Sequence, residues 1–286
     1  MDAGTPNIHF LCAAAVLLWT ATALAQSAPL DNRTQLKELI QRSAKTLREN
    51  RSPDTHIVGT RYLGLLRDGK PVGYEIFTTE IVNHDGRKAY RFADRALFKA
   101  PDGNTVTVDS TGLSAPSFEG IETTIRLTVS GRPEAGLAVR AKRIGKTVRI
   151  VSENRNDDKP LLVRPDNQVL ALSGELQRLL QSRKWKPNDR CALWHLDAIN
   201  GELSPVVLRA LKNDRNELAG RKLGPLKIET WFADEGPDAT LSLNHTTYLD
   251  RDGNVTLIVK SDGLVKRALS ENEFNKNWKD RVGQAR

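Results

Sequence analysis

Apolar residues recur along this chain with two different periods, and the changes of period divide it. Behind Asp31 or Asn32, either of which can cap a helix, Leu36, Leu39, Ile40, Ala44 and Leu47 fall at helical spacing, and the opposite face is charged. The stretch Asn50 to Thr55 ends that helix, because Pro53 disfavours helical geometry at the residue before it. From Ile57 the pattern shortens to β-type runs: TRYLGLLR, VGYEIFTTEIV, KAYRFADRALFKA and TVTVDST, then runs around Thr123 to Val129, Leu137 to Arg143 and Thr147 to Glu153. Asp68-Gly69, Asp85-Gly86 and Asp102-Gly103 separate the first of them at intervals of 17 residues, about one strand and one turn, and Asp-Gly suits tight hairpins.

Between Pro165 and Ser182 the helical period returns through Val169, Leu172, Leu176, Leu179 and Leu180, with Asp166 as a cap, which predicts a middle helix over 166–182. A second β-series follows through RCALWHLDAI, PVVLRALK, LKIETWFA and TTYLDRDGNVTLIVKSDG, turning at Asn200-Gly201 and Asp252-Gly253. Ser270 and Glu273 then fit a capping box ahead of Phe274 and Trp278. The predicted fold is mainly β with a few helices, a curved antiparallel sheet packed on one or two of them. A closed barrel, an open half-barrel over a helix, and two sheets all fit the pattern, and the half-barrel is preferred. The expected organisation is a signal peptide over 1–25, a linker and helix over 26–56, a β-meander domain over 57–269 and a tail over 270–286.

The order of elements resembles the lipoprotein-carrier-like bacterial envelope proteins. The likeness is carried by YLGLLRDGKPVGY (Tyr62 to Tyr74), the middle helix, and TTYLDRDGNVTLIVKSDG (Thr246 to Gly263), which look like the first hairpin and late strands of uncharacterised members. The resemblance implies a curved sheet wrapped around helices, an apolar cavity, and a role in binding an apolar ligand or a protein partner. It carries over no functional residue, because no binding motif matches residue by residue.

Composition sets the compartment. The run Phe10 to Ala25 is apolar and uncharged, ends in Ala23-Leu24-Ala25 and is followed by Gln26-Ser27, as a cleavable secretory leader is. Its 16 residues fall short of the roughly 20 that span a bilayer, so no transmembrane helix is expected after cleavage, and the protein is expected in the periplasm or secreted. The leader lacks Lys and Arg, which argues the other way. Its loss removes Cys12 and leaves Cys191 alone, so no internal disulfide can form and stability must come from a core. The formal net charge of +8 is scattered without a run of five Lys or Arg, which describes a solvated surface and no specific nucleic-acid site.

Local chemistry adds little. Cys191 and His195 share a strand face about 13 Å apart, too far for direct proton transfer, so a buried thiol and a core histidine are expected. Asp250, Asp252 and Asn254 alternate as calcium ligands do, yet Gly253 stands in the wrong place and no Glu closes the loop, which fits a hairpin turn. The segment Asp109 to Ser117 holds loop serines without a nucleophile elbow. No metal or cofactor is expected. The aromatic residues Tyr62, Tyr74, Phe77, Tyr90, Phe92 and Trp231 lie on predicted strands and are the candidate lining of a ligand cavity. The expectation is a non-enzymatic envelope protein that binds lipid, another apolar ligand or an envelope protein partner. The alternatives are an interaction module of an envelope assembly and a hydrolase with a non-local active site.

Overall fold

Hairpins dominate the computed structural model, which describes residues 33–49, 58–100, 102–152, 161–163, 169–172, 174–233 and 240–278. Helix α1 (Arg33–Glu49) precedes a meander of eight strands: β1 (Gly59–Arg67), β2 (Lys70–His84), β3 (Arg87–Lys99), β4 (Thr105–Ser114), β5 (Gly120–Val129), β6 (Leu137–Ile144), β7 (Thr147–Ser152) and β8 (Leu161–Val163). Then come β9 (Leu170–Ala171), α2 (Glu175–Ser182), β10 (Arg190–Asp197), β11 (Glu202–Lys212), and a small separate hairpin of β12 (Glu217–Leu218) and β13 (Arg221–Lys222). The chain closes with β14 (Leu226–Ala233), β15 (Leu241–Leu249), β16 (Val255–Lys260), β17 (Val265–Leu269) and α3 (Glu271–Asn277).

Fifteen strands form one curved, unclosed sheet in the order β8-β7-β6-β5-β4-β3-β2-β1-β17-β16-β15-β14-β11-β10-β9. Of the alternatives left open by the sequence, the single open sheet is the one adopted. Each pairing is antiparallel except that of β9 with β10, as sequential hairpins require. The first turns show why the Asp-Gly pairs matter: Asp68 and Gly69 have φ of 51° and 73°, the left-handed pair that a two-residue hairpin with native twist needs.

The first and last strands meet in mid-sheet, where Leu63 pairs with Ala268, so the sheet is two arms hinged on the β1–β17 ladder. The arms curl toward each other. Val139, Ala141, Val148 and Ile150 of one arm pack with Leu170, Leu172, Leu196 and Ala198 of the other in a single apolar cluster. Helix α2 lies within the curve, where Leu179 and Leu180 join Trp185, Leu193, Leu208 and Ile228 of the late arm. On the early arm Gly174, at its N-terminus, sits so close to Phe92 that a Cβ would fall 2.5 Å from the ring. One helix of eight residues, about 12 Å long, reaches both arms only because the sheet bends around it.

Helix α1 solves a different problem. β9 covers only Trp194 and His195 on the outer edge of β10, so the rest of that edge would present unpaired backbone groups. Ser43 of α1 accepts the Ala192 N–H at 2.9 Å, and Leu36, Leu39 and Ile40 bury against Ala192, Val207 and Trp231. Each fully buried Leu or Ile of this kind contributes roughly 1.5–3 kcal/mol. The capping box is present in α3: Ser270 Oγ accepts from the Glu273 N–H, and Glu273 accepts from the Ser270 N–H.

Two expectations are corrected. The helical period does not give one continuous helix up to Ser182: Leu170–Ala171 pairs as a strand, and α2 begins at Glu175. Parallel pairing with β10 wins over local periodicity there, and Gly174 permits the close approach to Phe92 from which the helix starts; residues 164–168 and 173 lie outside the described residues. The serine segment is also no loop throughout. β4 runs on to Ser114, because Thr111, Gly112 and Leu113 find partners on both β3 and β5. The leader, the cap at Asp31 or Asn32, and the Pro53 break lie outside the described residues. Among the described residues no helix is long and apolar enough to cross a membrane.

Candidate functional site

Strand alternation and register decide which side chains enter the curve. Arg61 stands opposite Phe77, and Leu63 opposite both Glu75 and Ala268, so these residues share the α2 face, whereas Tyr62, Gly64 and Tyr74 share the other. The six candidate aromatic residues therefore separate into three places. Phe77 and Phe92 stack at 5.9 Å with Tyr90 beside them, inside the curve. Tyr62 and Tyr74 hold Phe274 of α3 on the outside, at ring separations of 4.7 and 5.1 Å. Gly64 lies beneath Trp278 there, where a Cβ would meet the indole at 2.5 Å. Trp231 packs under α1, and its Nε1 donates to Glu229 at 3.3 Å.

Tyr90 is covered by a residue the sequence did not single out. The Arg178 guanidinium carbon lies 4.1 Å from the Tyr90 ring centre and 3.9 Å from that of Phe118, so the cation is held between two ring faces. Its Nη2 donates to the Ala115 carbonyl at 2.7 Å and to the Pro116 carbonyl at 3.3 Å. Arg178 thus ties α2 to the β4–β5 turn and fills that part of the curve.

Between α2 and the β1–β17 ladder a half-open pocket of about 240 Å³ remains. Leu63, Phe77, Val255 and Ala268 supply its apolar surface; Tyr62 and Leu269 also border it but their register turns their side chains to the outer face, so of the six predicted residues two border the pocket and Phe77 alone lies on its inner side. Thr60, Arg61, Gln177, Gln181 and Asn254 are its polar residues. Arg61 donates to Gln181 Oε1, and burial lowers the guanidinium below its ordinary pKa. A larger pocket of about 350 Å³, bordered by Leu66, Pro71, Arg267 and Trp278, lies against α3 on the outer face, away from the curve.

Further along the inner face runs an ionisable cluster that strand patterning did not reveal. Lys266 of β17 pairs with Glu75 of β2, whose side chain is 6% exposed. Glu75 and Lys266 act on Asp94 of β3. Burial first, and then the Glu75 carboxylate, push Asp94 up to about 7. His245 of β15 stands opposite Lys260 of β16. Burial, and then Lys266 and Lys260, bring His245 down to about 4. Lys266 itself is held above its ordinary value, because Glu75 with Asp94 and Asp262 outweighs the burial that opposes its charge. A charged letter at an inward strand position is the signal that would have found this cluster.

The two shifts have opposite signs in stability. Asp94 binds its proton more tightly folded than unfolded, so its contribution is fully present below about pH 4 and is lost as pH rises toward 7. His245 gives stability above about pH 6.5 that is lost as pH falls toward 4. The slopes oppose each other in the shared window, so the informative measurement is a difference. Asp94→Asn should gain roughly 3 kcal/mol over the parent between about pH 4.5 and 7.5, read from urea midpoints. A constant difference across that range would show that Asp94 ionises normally.

The remaining candidates are occupied structurally. Cys191 is fully buried, and burial pushes its thiol up, opposed by Arg183 and a hydrogen bond with Ser43. His195 stands edge-on to Phe232 at 5.6 Å, lowered by burial. Asp250 accepts from the backbone N–H groups of Asp252 and Asn254 and from the Asn254 amide, which closes the turn with the oxygens a metal would need.

No protein-family model matches the chain, and no curated protein matches it. Among solved structures, it is similar to a β-barrel-like protein of a domain of unknown function, DUF1849, from Brucella abortus. That match has 10% identity and a TM-score of 0.48, and covers 75% of this chain and 97% of that one. A DUF1089 family protein from Pseudomonas aeruginosa matches with 8% identity and a TM-score of 0.34, over 63% of this chain and 86% of that one. LprF from Mycobacterium bovis matches with 13% identity and a TM-score of 0.16, over 85% and 94%.

Proposed function

We propose that this protein is an exported, non-enzymatic binder of an apolar or amphipathic ligand, which it holds on the inner side of its curved sheet. The observation that carries the proposal is the pocket at the β1–β17 hinge, where Leu63, Phe77, Val255 and Ala268 form an apolar patch beside α2 within a lining that is about half polar, as an amphipathic ligand would need. Its volume of about 240 Å³ lies below the 300–1,000 Å³ of sites that enclose a whole drug-sized molecule, so it receives one end of a longer ligand. The leader pattern of residues 1–25 supports export, and the resemblance to lipoprotein-carrier-like proteins supports an envelope role.

The mature protein, purified from an exporting host, should release lipid on organic extraction and bind an environment-sensitive dye that added lipid displaces. Ala268 borders the pocket opposite Leu63, so Ala268→Phe fills the space and should weaken dye binding about tenfold or more. Dye affinity equal in the parent and the filled variant would remove the pocket from the proposal. A parent protein that yields no lipid and binds no dye would favour the envelope interaction module.

A further inference from the structure

The two arms of the sheet differ on their outer surface. Helix α1 covers the late arm at Ala192, Val207 and Trp231, and α3 covers the hinge at Tyr62 and Tyr74. The far end of the early arm is bare. On the outer face of β5 to β8, Arg126, Arg140, Lys142 and Arg149 are all exposed, and Glu122 is the only carboxylate of those strands among the described residues. These cations are scattered in sequence, and the strand register gathers them. Lys142 lies opposite Arg149, and like charges facing each other across a ladder are destabilising. Glu122, opposite Lys142 on the other side, is 3.5 Å from Arg140. Arg126, Lys142 and Arg149 make no hydrogen bond or ion pair among the described residues.

Apolar side chains share the same corner. Ile144, Val151 and Leu162 alternate onto this face and are 58%, 41% and 60% exposed. Leu162 stands opposite Arg149 on β8, the margin of the sheet. A soluble polyanion would neutralise the cations and leave these three residues in water. A bilayer with anionic headgroups answers both, because phosphates meet the cations while the acyl boundary takes the apolar tips. We propose that the outer face of β5 to β8 docks on an anionic lipid surface, with its four cations among the headgroups and Leu162, Val151 and Ile144 at the acyl boundary. This contact is separate from the inner pocket and does not depend on what the pocket holds.

Flotation of the mature protein with phosphatidylcholine vesicles, with and without phosphatidylglycerol, tests the docking. The protein should float with the mixed vesicles and not with phosphatidylcholine alone, and added salt should weaken the binding. Arg149→Glu should weaken it about tenfold or more, although it gives Lys142 an opposite charge and so favours the fold. Lys45→Glu makes the same change of charge on the exposed side of α1 and should leave binding unchanged. Val151→Ser combined with Leu162→Ser should weaken binding with all cations in place. No flotation with the mixed vesicles, or equal flotation with both kinds, overturns the proposal. Equal losses from Lys45→Glu and Arg149→Glu overturn this face, since net charge alone would then bind. A loss from Arg149→Glu with none from the serine pair overturns the bilayer as the partner, because any polyanion would then suffice.

Discussion

Arg178→Ala is expected to lower the free energy of unfolding by about 3–5 kcal/mol, measured as a shift of the urea midpoint at unchanged m value. The side chain is 2% exposed and does three things at once: it fills the space between Tyr90 and Phe118, supplies donors to the carbonyls of Ala115 and Pro116, and anchors α2. Truncation leaves a void among rings and takes a donor from two carbonyls, of which that of Ala115 keeps the Phe118 N–H while that of Pro116 loses its contact with Arg178. Phe118 makes the site more sensitive. It sits at φ of 63°, a conformation that costs a residue with a side chain roughly 1–2 kcal/mol, so its packing must hold it there. Arg178→Lys should recover part of the loss, since an ammonium can donate to a carbonyl but cannot lie flat between two rings. A loss below about 1 kcal/mol for Arg178→Ala would mean that α2 is held by Leu179 and Leu180 alone.

The second large effect concerns Lys266. Lys266→Met leaves Glu75 buried in the sheet without its cation, and breaking a buried pair on one side costs about 3–5 kcal/mol. Lys266 is also the charge that draws Asp94 down, so without it Asp94 holds its proton to still higher pH. The penalty should therefore grow with pH: a carboxylate whose folded pKa has been raised gives stability at low pH that is lost as pH climbs through the new value. The double change Glu75→Leu with Lys266→Met should return to within about 1 kcal/mol of the parent, because two apolar side chains of similar volume need no charge compensation. Urea unfolding of the parent, both single variants and the double variant at about pH 5.5 and 8 closes the cycle. A double variant as unstable as Lys266→Met would show that the pair also orders the surrounding strands.

These two residues also show what the sequence discloses and what it withholds. The long strands were legible because their hairpins announce themselves locally, through alternation and through Asp-Gly pairs that accept left-handed backbone, whereas the short hairpin of β12 and β13 and the strand β8 carry no such signal. The capping box of α3 is likewise a matter of residues three apart. The start of α2 was not legible, because a parallel pairing between Leu170 and Trp194 decides it from outside the segment. The aromatic set was chosen correctly as strand residues, but alternation alone cannot say which face is the inner one. Tyr62 and Phe77 sit on neighbouring strands, yet one stacks on α3 outside and the other on Phe92 inside. Arg61 and Gln181, two of the polar residues of the pocket, are separated by more than a hundred residues and meet only when α2 enters the curve. Arg178 occupies a position within the apolar spacing of its helix and reads there as a solvated charge, because nothing local announces two waiting ring faces.

The meeting of β1 with β17 sets the order in which the molecule can be finished. Leu63 is made early and Ala268 near the end, so a growing polypeptide must leave the central ladder half built until almost its last strand has emerged. Such distant contacts make folding slow and hold an apolar strand edge bare in the meantime. During that delay the open edge of β1 can pair with a strand of another molecule, so the yield of folded protein should fall as its concentration rises during refolding.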